Sequence, residues 1–297
     1  MSKIGDKIIK AIGDKGKNLE GEMSFFEHLE ALRWHLMRAA AVILLFTIFA
    51  FAYYHEIFDG IVMAPSHPSF FTYRMMCDFG AFLEHLNSFF VAKNFCVGKI
   101  DVSLINTELA GQFTLQINSS IMIGLTLGIP YILWEIWKFI RPALHDRERK
   151  AASGFVFYSS FLFVLGVLFG YFIVTPLSIR FLSSYTVSDT IQNLFSIDSY
   201  ISTVTTLTLA SGVAFQLPII VYILANIGIL TPKFMRDKRR YAIIIILILA
   251  AFITPTPDAL TMLVVAFPLF LLYELSIRVA AVVEKKRKKR NEELMES

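Results

Sequence analysis

The sequence predicts an all-α polytopic membrane protein with six transmembrane helices, both termini inside, and a concave bundle in which the last two helices are short. The chain of 297 residues is 56% hydrophobic and 18% charged, whereas about a quarter of the residues of a soluble domain are charged. The apolar residues form six runs. The basic residues lie between these runs in alternate segments, which is typical of a protein that crosses a bilayer repeatedly.

The six runs are long or apolar enough to count as membrane spans. They cover residues 36–54, 112–139, 151–174, 200–230, 241–254 and 259–275. The segments outside them contain 7, 3, 5, 1, 5, 0 and 7 lysines and arginines in chain order, with Arg38 and Lys138 counted in the adjoining segments. Because cytoplasmic loops carry the excess of basic residues, both termini and the second and fourth loops are expected inside. The basic residues are thus concentrated in segments expected at the membrane surfaces. The net charge of +4 therefore does not indicate a nucleic-acid-binding protein.

The amino-terminal residues 1–23 are rich in lysine and glycine and are expected to be mobile. Ser24 and Glu27 then form a capping-box pattern, which predicts the start of a helix that continues into the first span. On periodicity alone, an ordinary juxtamembrane helix is the simpler interpretation. The predicted membrane domain covers residues 24–280, and a basic and acidic tail covers residues 281–297.

The first outside segment, residues 55–111, is long for a connection, which indicates a folded cap or a functional element. It contains both cysteines of the chain, Cys77 and Cys96. An oxidising exterior would permit a disulfide between them, but two free thiols are equally compatible with the sequence. Its histidines and cysteines match no defensible metal-ligand spacing, so neither a metal nor a cofactor is expected.

Two spans contain helix-breaking or polar residues. Pro130 interrupts the second span, which predicts a tilt and a concave face. Gln216 lies well inside the fourth span and precedes Pro218. An amide at that depth either forms a helix–helix hydrogen bond or belongs to a partner-binding face.

The fifth span is short. It has 14 residues, or about 21 Å of helix against a hydrocarbon core of about 30 Å.

The segment WEIWKFIRPALHDRERK, residues 134–150, lies between two long apolar runs. Pro142 ends the preceding helix, and the charges that follow cannot lie in hydrocarbon without a large free-energy cost. This segment is therefore expected at a membrane surface.

Two segments together carry a resemblance to a known family. They are the motif His28-Leu29-Glu30-Ala31-Leu32-Arg33 before the first span, and Trp137-Lys138-Phe139-Ile140-Arg141-Pro142-Ala143-Leu144 followed by Glu148-Arg149. With Pro65 in a Met-Ala-Pro turn, a Thr-Pro-Thr-Pro-Asp turn at 254–258 and the six-span topology, residues 24–280 resemble TatC, the receptor subunit of the bacterial twin-arginine translocase.

The resemblance implies a non-enzymatic receptor in the bacterial cytoplasmic membrane that binds twin-arginine signal peptides of folded precursors. It implies single-span TatA/TatB-type partners, a multi-copy complex and export driven by the proton-motive force. The residues it assigns to signal-peptide binding are Glu30, Arg33, Phe139, Pro142 and Glu148. Those it assigns to partner docking or structure are Gln216, Thr254, Thr256, Pro65 and Asp258.

The sequence departs from the family pattern at four positions. Ala31 stands where the family motif has a glutamate, and Gln216 stands where the family often has an intramembrane glutamate. Asn118 occupies a frequent lysine position, and Met262 occupies the position of a partner-contacting glutamine. Without a glutamine at position 262, a polar docking patch would depend more on Thr254 and Thr256.

The sequence is less consistent with two other classes of protein, a solute transporter and an enzyme. A proton- or ion-coupled solute transporter is the alternative class, but the spans show no internal repeat and no mid-bilayer ionisable pair. No catalytic constellation is recognisable, so an enzyme is not expected. Glu148 could also pair locally with Arg141 or its basic neighbours, as surface ion pairs commonly do.

Overall fold

The computed structural model describes residues 25–86, 103–140, 154–188, 193–254 and 259–296, and these ranges are mainly helical. The helices are α1 (Phe25–Ala52), α2 (Tyr54–Ile57), α3 (Phe71–Leu86), α4 (Gly111–Ile140), α5 (Phe155–Phe169), α6 (Thr175–Ser184), α7 (Ile197–Ala214), α8 (Leu217–Ile227), α9 (Pro232–Asp237), α10 (Arg239–Ile253) and α11 (Ala259–Glu296). A π-helical turn, Gly170–Val174, joins α5 to α6. Two short strands are β1 (Leu104–Ile105) and β2 (Phe195–Ser196).

Five segments of the described residues are helical, long and apolar enough to cross a membrane. They are Leu29–Ala52, Gly111–Phe139, Val156–Ser184, Ile197–Ile227 and Thr261–Lys289. The predicted fifth span is the helix α10, which has 15 residues and is shorter than these five. The structure thus supports a multi-span helical membrane protein in which α10 is short, as the sequence predicted.

The last helix is not short. The predicted sixth span ended at residue 275, but α11 has 38 residues and continues through the basic tail. The prediction followed the apolar run alone, whereas lysine and glutamate are also good helix formers. The ion pair between Lys288 Nζ and Glu284 Oε1, 2.9 Å apart and four residues apart in sequence, further supports the helix there.

The third span also ends later than predicted. The expected boundary was residue 174, before the Thr175-Pro176 dipeptide. The helical path instead passes through the π-helical turn and continues as α6 to Ser184. Pro176 lies in the first turn of α6, where the missing amide hydrogen has no helical partner to lose.

The described residues 55–86 form a cap that is tied to the end of the helical segment 155–184. The Tyr73 hydroxyl, in α3, donates to the carbonyl oxygens of Pro65 at 2.9 Å and of Pro176 at 3.2 Å. The Tyr200 hydroxyl donates to the Val62 carbonyl at 3.0 Å. Strands β1 and β2 pair in parallel and bring Leu104 beside Phe195. Segments far apart in sequence therefore lie on one side of the bundle, as the predicted topology requires.

The helices α1 and α4 make the most extensive helix contact among the described residues. Gly124 lies against the backbone of Thr47, and a Cβ at this position would be 2.7 Å from the Thr47 nitrogen. A side chain as small as alanine would therefore separate the two helices. This close approach fixes how their adjoining ends are aligned, which positions the site described next.

Candidate functional site

A hydrogen-bonded pair with a buried carboxylate joins the adjoining ends of α1 and α4. The His35 Nδ1 atom is hydrogen-bonded to the Glu135 Oε2 atom, and the two residues are 100 positions apart in sequence. The Glu135 side chain is 2% exposed, and the His35 side chain is 19% exposed. A carboxylate buried to this degree is stable only with polar partners, so the pair strongly constrains the alignment of α1 and α4.

Two further side chains surround the Glu135 carboxylate. The Tyr131 hydroxyl donates to Oε1 at 2.8 Å, and Lys138 Nζ lies 3.6 Å from the same oxygen. The Lys138 ammonium also lies 3.4 Å from the centre of the Trp134 ring, in the geometry of a cation–π contact. All three residues lie on α4 within one turn of Glu135. The network therefore combines one buried carboxylate with an ammonium that is 37% exposed.

Phe139 lies at the same end of the contact. Its ring is edge-on to the His35 ring, with centroids 6.0 Å apart and an angle of 71° between the planes. Glu30 and Arg33, on the amino-terminal part of α1, are both exposed. The structure thus places Phe139 beside His35, which lies two residues after the first predicted segment. Pro142 and Glu148 lie outside the described residues, so their roles stay predictions.

The two tryptophans of the 134–150 segment differ in environment. Trp134 is 40% exposed, whereas Trp137 is 7% exposed. The Trp137 ring packs against Val156, Ile219 and Tyr222. Trp137 therefore faces the helices α5 and α8, whereas Trp134 is left exposed beside Lys138.

Gln216 forms the helix–helix hydrogen bonds that were one of its two predicted roles. Its Oε1 atom accepts from the Ser159 hydroxyl at 2.8 Å, and its Nε2 atom donates to the Ser159 carbonyl at 3.1 Å. Gln216 lies in the break between α7 and α8. Its amide therefore joins that break to α5, and a separate role in partner docking stays a prediction.

An apolar groove of about 440 Å³ lies beside this break. Its lining comes from four helices, α4, α7, α8 and α10, and includes Met122, Ala210, Val213, Leu217 and Leu249. Val213 is 56% exposed. The groove is an apolar surface between these four helices, and the concave bundle predicted from Pro130 stays a prediction.

Two of the remaining predicted residues are buried. Pro65 lies in a short 3₁₀ turn, Ala64–Ser66, and its carbonyl accepts the hydrogen bond from Tyr73. Thr254 is 3% exposed, and its hydroxyl donates to the Ala250 carbonyl at 2.9 Å. Thr254 follows the last residue of α10, and its predicted role in partner docking stays a prediction.

Three predicted residues cannot be placed. Thr256 and Asp258 lie outside the described residues, and so does Cys96. Cys77 lies in α3 and is not a free thiol. Its pairing with Cys96 stays a prediction.

Sequence reasoning missed the pair of His35 and Glu135. Glu135 is near the end of the predicted second span, where an ionisable residue alone indicates no partner. A usable signal was present, because His35 and Glu135 both interrupt apolar surroundings at the ends of the first two spans, which the topology places on one side. Nothing in the sequence, however, gives the rotation of one helix against the other.

These features define a polytopic helical membrane protein with a polar site where its first two spans end together and an apolar groove between later spans. The family of Sec-independent protein translocase proteins, TatC, matches residues 27–268. The chain belongs to the TatC family and is a non-enzymatic component of the Sec-independent protein translocase.

Individual relatives agree with this assignment. A Sec-independent protein translocase protein TatC from Blattabacterium sp. subsp. Periplaneta americana is 37% identical over 273 residues, which is 91% of this chain and 100% of that protein. The TatC protein of Deinococcus radiodurans is 35% identical and covers 86% of this chain, with 85% of its own length matched.

Two crystal structures of a twin-arginine translocase receptor, TatC, have the same fold. One is 31% identical, with a TM-score of 0.62 over 87% of this chain and 100% of that chain. The other, in the detergent DDM, is 32% identical, with a TM-score of 0.63 over 86% of this chain and 99% of that chain.

Proposed function

We propose that this chain is the receptor of a twin-arginine translocase, which binds the paired arginines of signal peptides where α1 and α4 end together. The observation that supports this most directly is the contact between Phe139 and His35. His35 lies two residues after the first motif segment and Phe139 belongs to the second, so the contact brings the surroundings of the two motifs together. Glu148 follows Phe139 by nine residues and therefore lies close to this contact in sequence.

The chemistry of the ligand fits this site. Two adjacent arginines present about ten N–H donors, and carboxylates accept them in a bidentate geometry. We assign Glu148 and Glu30 as the accepting carboxylates, with Arg33 and Pro142 shaping the surface around them. The Phe139 ring would exclude water from the arginines, which strengthens such pairs beyond the value of about 1 kcal/mol or less that is typical of exposed ones.

Glu135 lies close to the position at which the first motif departs from the family pattern. Ala31 stands where the family motif has a glutamate, and it lies one helical turn before His35, to which Glu135 is hydrogen-bonded. Glu135 is buried and bonded to α1, so we assign it to aligning the two helices and not to direct contact with the peptide. Its negative charge nevertheless contributes to the potential that a cationic peptide encounters.

The apolar groove is the proposed docking site for the membrane helices of TatA/TatB-type single-span partners. A single apolar helix is the occupant that fits a groove in the hydrocarbon region, because helix association there depends on close packing. We further propose that both termini are cytoplasmic, that α10 also crosses the membrane and so brings the number of spans to six, and that several copies assemble in the bacterial inner membrane. Export of folded precursors would use the proton-motive force.

A pull-down with two peptides tests the receptor function. The purified full-length chain is exposed to an immobilised twin-arginine signal peptide and to the same peptide with both arginines replaced by lysine. Preferential retention by the arginine peptide is expected, because lysine cannot form bidentate pairs. Equal retention by the two peptides would contradict arginine recognition. Uptake of a small solute by vesicles that contain the chain alone would instead favour the transporter alternative.

A further inference from the structure

A basic groove of about 730 Å³ lies between α9 and the distal turns of α11. Lys233 and Arg236 line it from α9, and Lys285, Lys288 and Lys289 line it from α11. The function proposed above makes no use of this surface.

The two walls of the groove are held together by apolar packing. Met235, on α9, is 4% exposed and packs in a buried cluster with Ile277, Ala280 and Val283 of α11. The Tyr273 hydroxyl donates to the Met235 carbonyl at 2.7 Å. The spacing between the basic side chains is therefore set by a folded contact between two helices.

The turn before α9 provides a second attachment. Gly228 ends α8 with a φ of 88°, a conformation that L side chains rarely adopt. A Cβ at Gly228 would be 1.8 Å from Arg287 Nη1, so the Arg287 guanidinium lies directly against this turn. The distal part of α11 therefore contacts the α8–α9 connection through Arg287, in addition to its apolar contact with α9.

The lining favours an anionic ligand. Three carboxylates, Asp237, Glu284 and Glu292, also line the groove, against five basic side chains. Lys288 is ion-paired with Glu284. The basic side chains remain in excess, and clustered lysine and arginine side chains in a concave surface attract phosphate groups.

The position of the groove along α11 indicates where that phosphate comes from. The apolar segment of α11 begins at Thr261, and a hydrocarbon core of about 30 Å is crossed by about 20 helical residues. The core should end near residue 280, and the first α11 residue that lines the groove is Ala281. The other wall, α9, connects the apolar helices α8 and α10. The groove therefore lies at the level of the lipid headgroups.

We propose that this groove binds the phosphate of an anionic phospholipid headgroup, such as phosphatidylglycerol, at the membrane surface. The lipid would occupy the space between α9 and α11 and so stabilise the contact of α11 with the α8–α9 connection. This assignment does not depend on signal-peptide binding, because the groove shares no residue with the site at α1 and α4.

The test is a titration of the purified full-length chain in a nonionic detergent. Phosphatidylglycerol, phosphatidylcholine and inorganic phosphate are added separately, and the midpoint of thermal unfolding gives an apparent dissociation constant. Arg236→Gln and Lys288→Gln each remove one basic group from a different wall. Lys286→Gln is the matched control, because Lys286 is exposed on the same helix but does not line the groove.

Phosphatidylglycerol is expected to raise the unfolding midpoint, whereas phosphatidylcholine should not. Each wall variant should weaken phosphatidylglycerol binding by about fivefold, the effect of one basic residue near an anionic surface, while Lys286→Gln should change it less than twofold. Equal losses in all three variants would overturn the proposal, because they would indicate diffuse attraction. Stabilisation by inorganic phosphate without any by phosphatidylglycerol would overturn the assignment to lipid.

Discussion

The His35 imidazole of α1 is hydrogen-bonded to the Glu135 carboxylate of α4, and this pair joins the two helices two residues after one motif segment and two residues before the other. The carboxylate is 2% exposed and also accepts a hydrogen bond from Tyr131. Burying such a charge is unfavourable unless its partners are kept in place. Helix alignment at this end should therefore depend on His35.

Replacing His35 tests this dependence. His35→Ala leaves the buried Glu135 carboxylate without its partner on α1, and loss of one member of a buried pair costs about 3–5 kcal/mol. The double variant His35→Ala/Glu135→Gln should lose less stability than the two single variants added together, because the buried charge is also gone. Denaturant unfolding of the purified chain measures both quantities, and strictly additive losses would show that the two side chains are not coupled.

The close contact between α1 and α4 gives a second prediction. Gly124→Ala should destabilise the chain by about 1–3 kcal/mol, as overpacking of a tight contact does, because the new methyl group would overlap the Thr47 backbone. Gly60→Ala is the matched control, since a Cβ at Gly60 meets no atom within 4 Å. Similar unfolding midpoints for the two variants would contradict the packing described here.

Gln216 provides a test that separates structure from partner binding. Gln216→Leu removes both hydrogen bonds to Ser159, whereas Ser159→Ala removes one and keeps the bond to the Ser159 carbonyl. The stability loss should be about 1–2 kcal/mol for Gln216→Leu and smaller for Ser159→Ala. If Gln216→Leu instead keeps full stability and loses capture of single-span partners, its main role is docking.

The outer cap should weaken at high pH. Burial raises the pKa of the Tyr73 hydroxyl above its ordinary value, which is about 10. A raised folded-state pKa contributes stability that is present below about pH 10 and is lost as the pH rises further. Tyr73→Phe removes the donor to Pro65 and Pro176. This variant should be less stable at pH 7 by about 1–3 kcal/mol and should lose less further stability between pH 8 and 11 than the unmodified chain.

The sequence was sufficient for the helical class, because the apolar runs are mainly helical wherever the structure describes them, although the run 200–230 is divided between α7 and α8. It was less informative about helix ends. The end of α11 was missed because the charged residues from Glu284 onward remain helical, and the end of α6 was missed because Pro176 is tolerated in a first turn.

The candidate site could be predicted only in part. The motif segments identified Glu30, Arg33 and Phe139 by resemblance, and the structure places Phe139 against α1. The pairing of His35 with Glu135, and that of β1 with β2, joins residues about 90 to 100 positions apart. Such pairings depend on how distant segments rotate and pack against one another. The periodicity of a single sequence does not contain this information.

We propose that the Glu148 carboxylate, eight residues after α4 ends, receives the paired arginines of a signal peptide, and one measurement tests this most directly. The dissociation constant of a twin-arginine peptide is measured for the unmodified chain, for Glu148→Lys and for Asp78→Lys, a comparable charge change at an exposed residue of the outer cap. Because a basic side chain would repel the ligand, binding to Glu148→Lys should be lost, while Asp78→Lys binds normally and both variants insert into the membrane. Unchanged affinity of the Glu148→Lys protein for the twin-arginine peptide would contradict the claim.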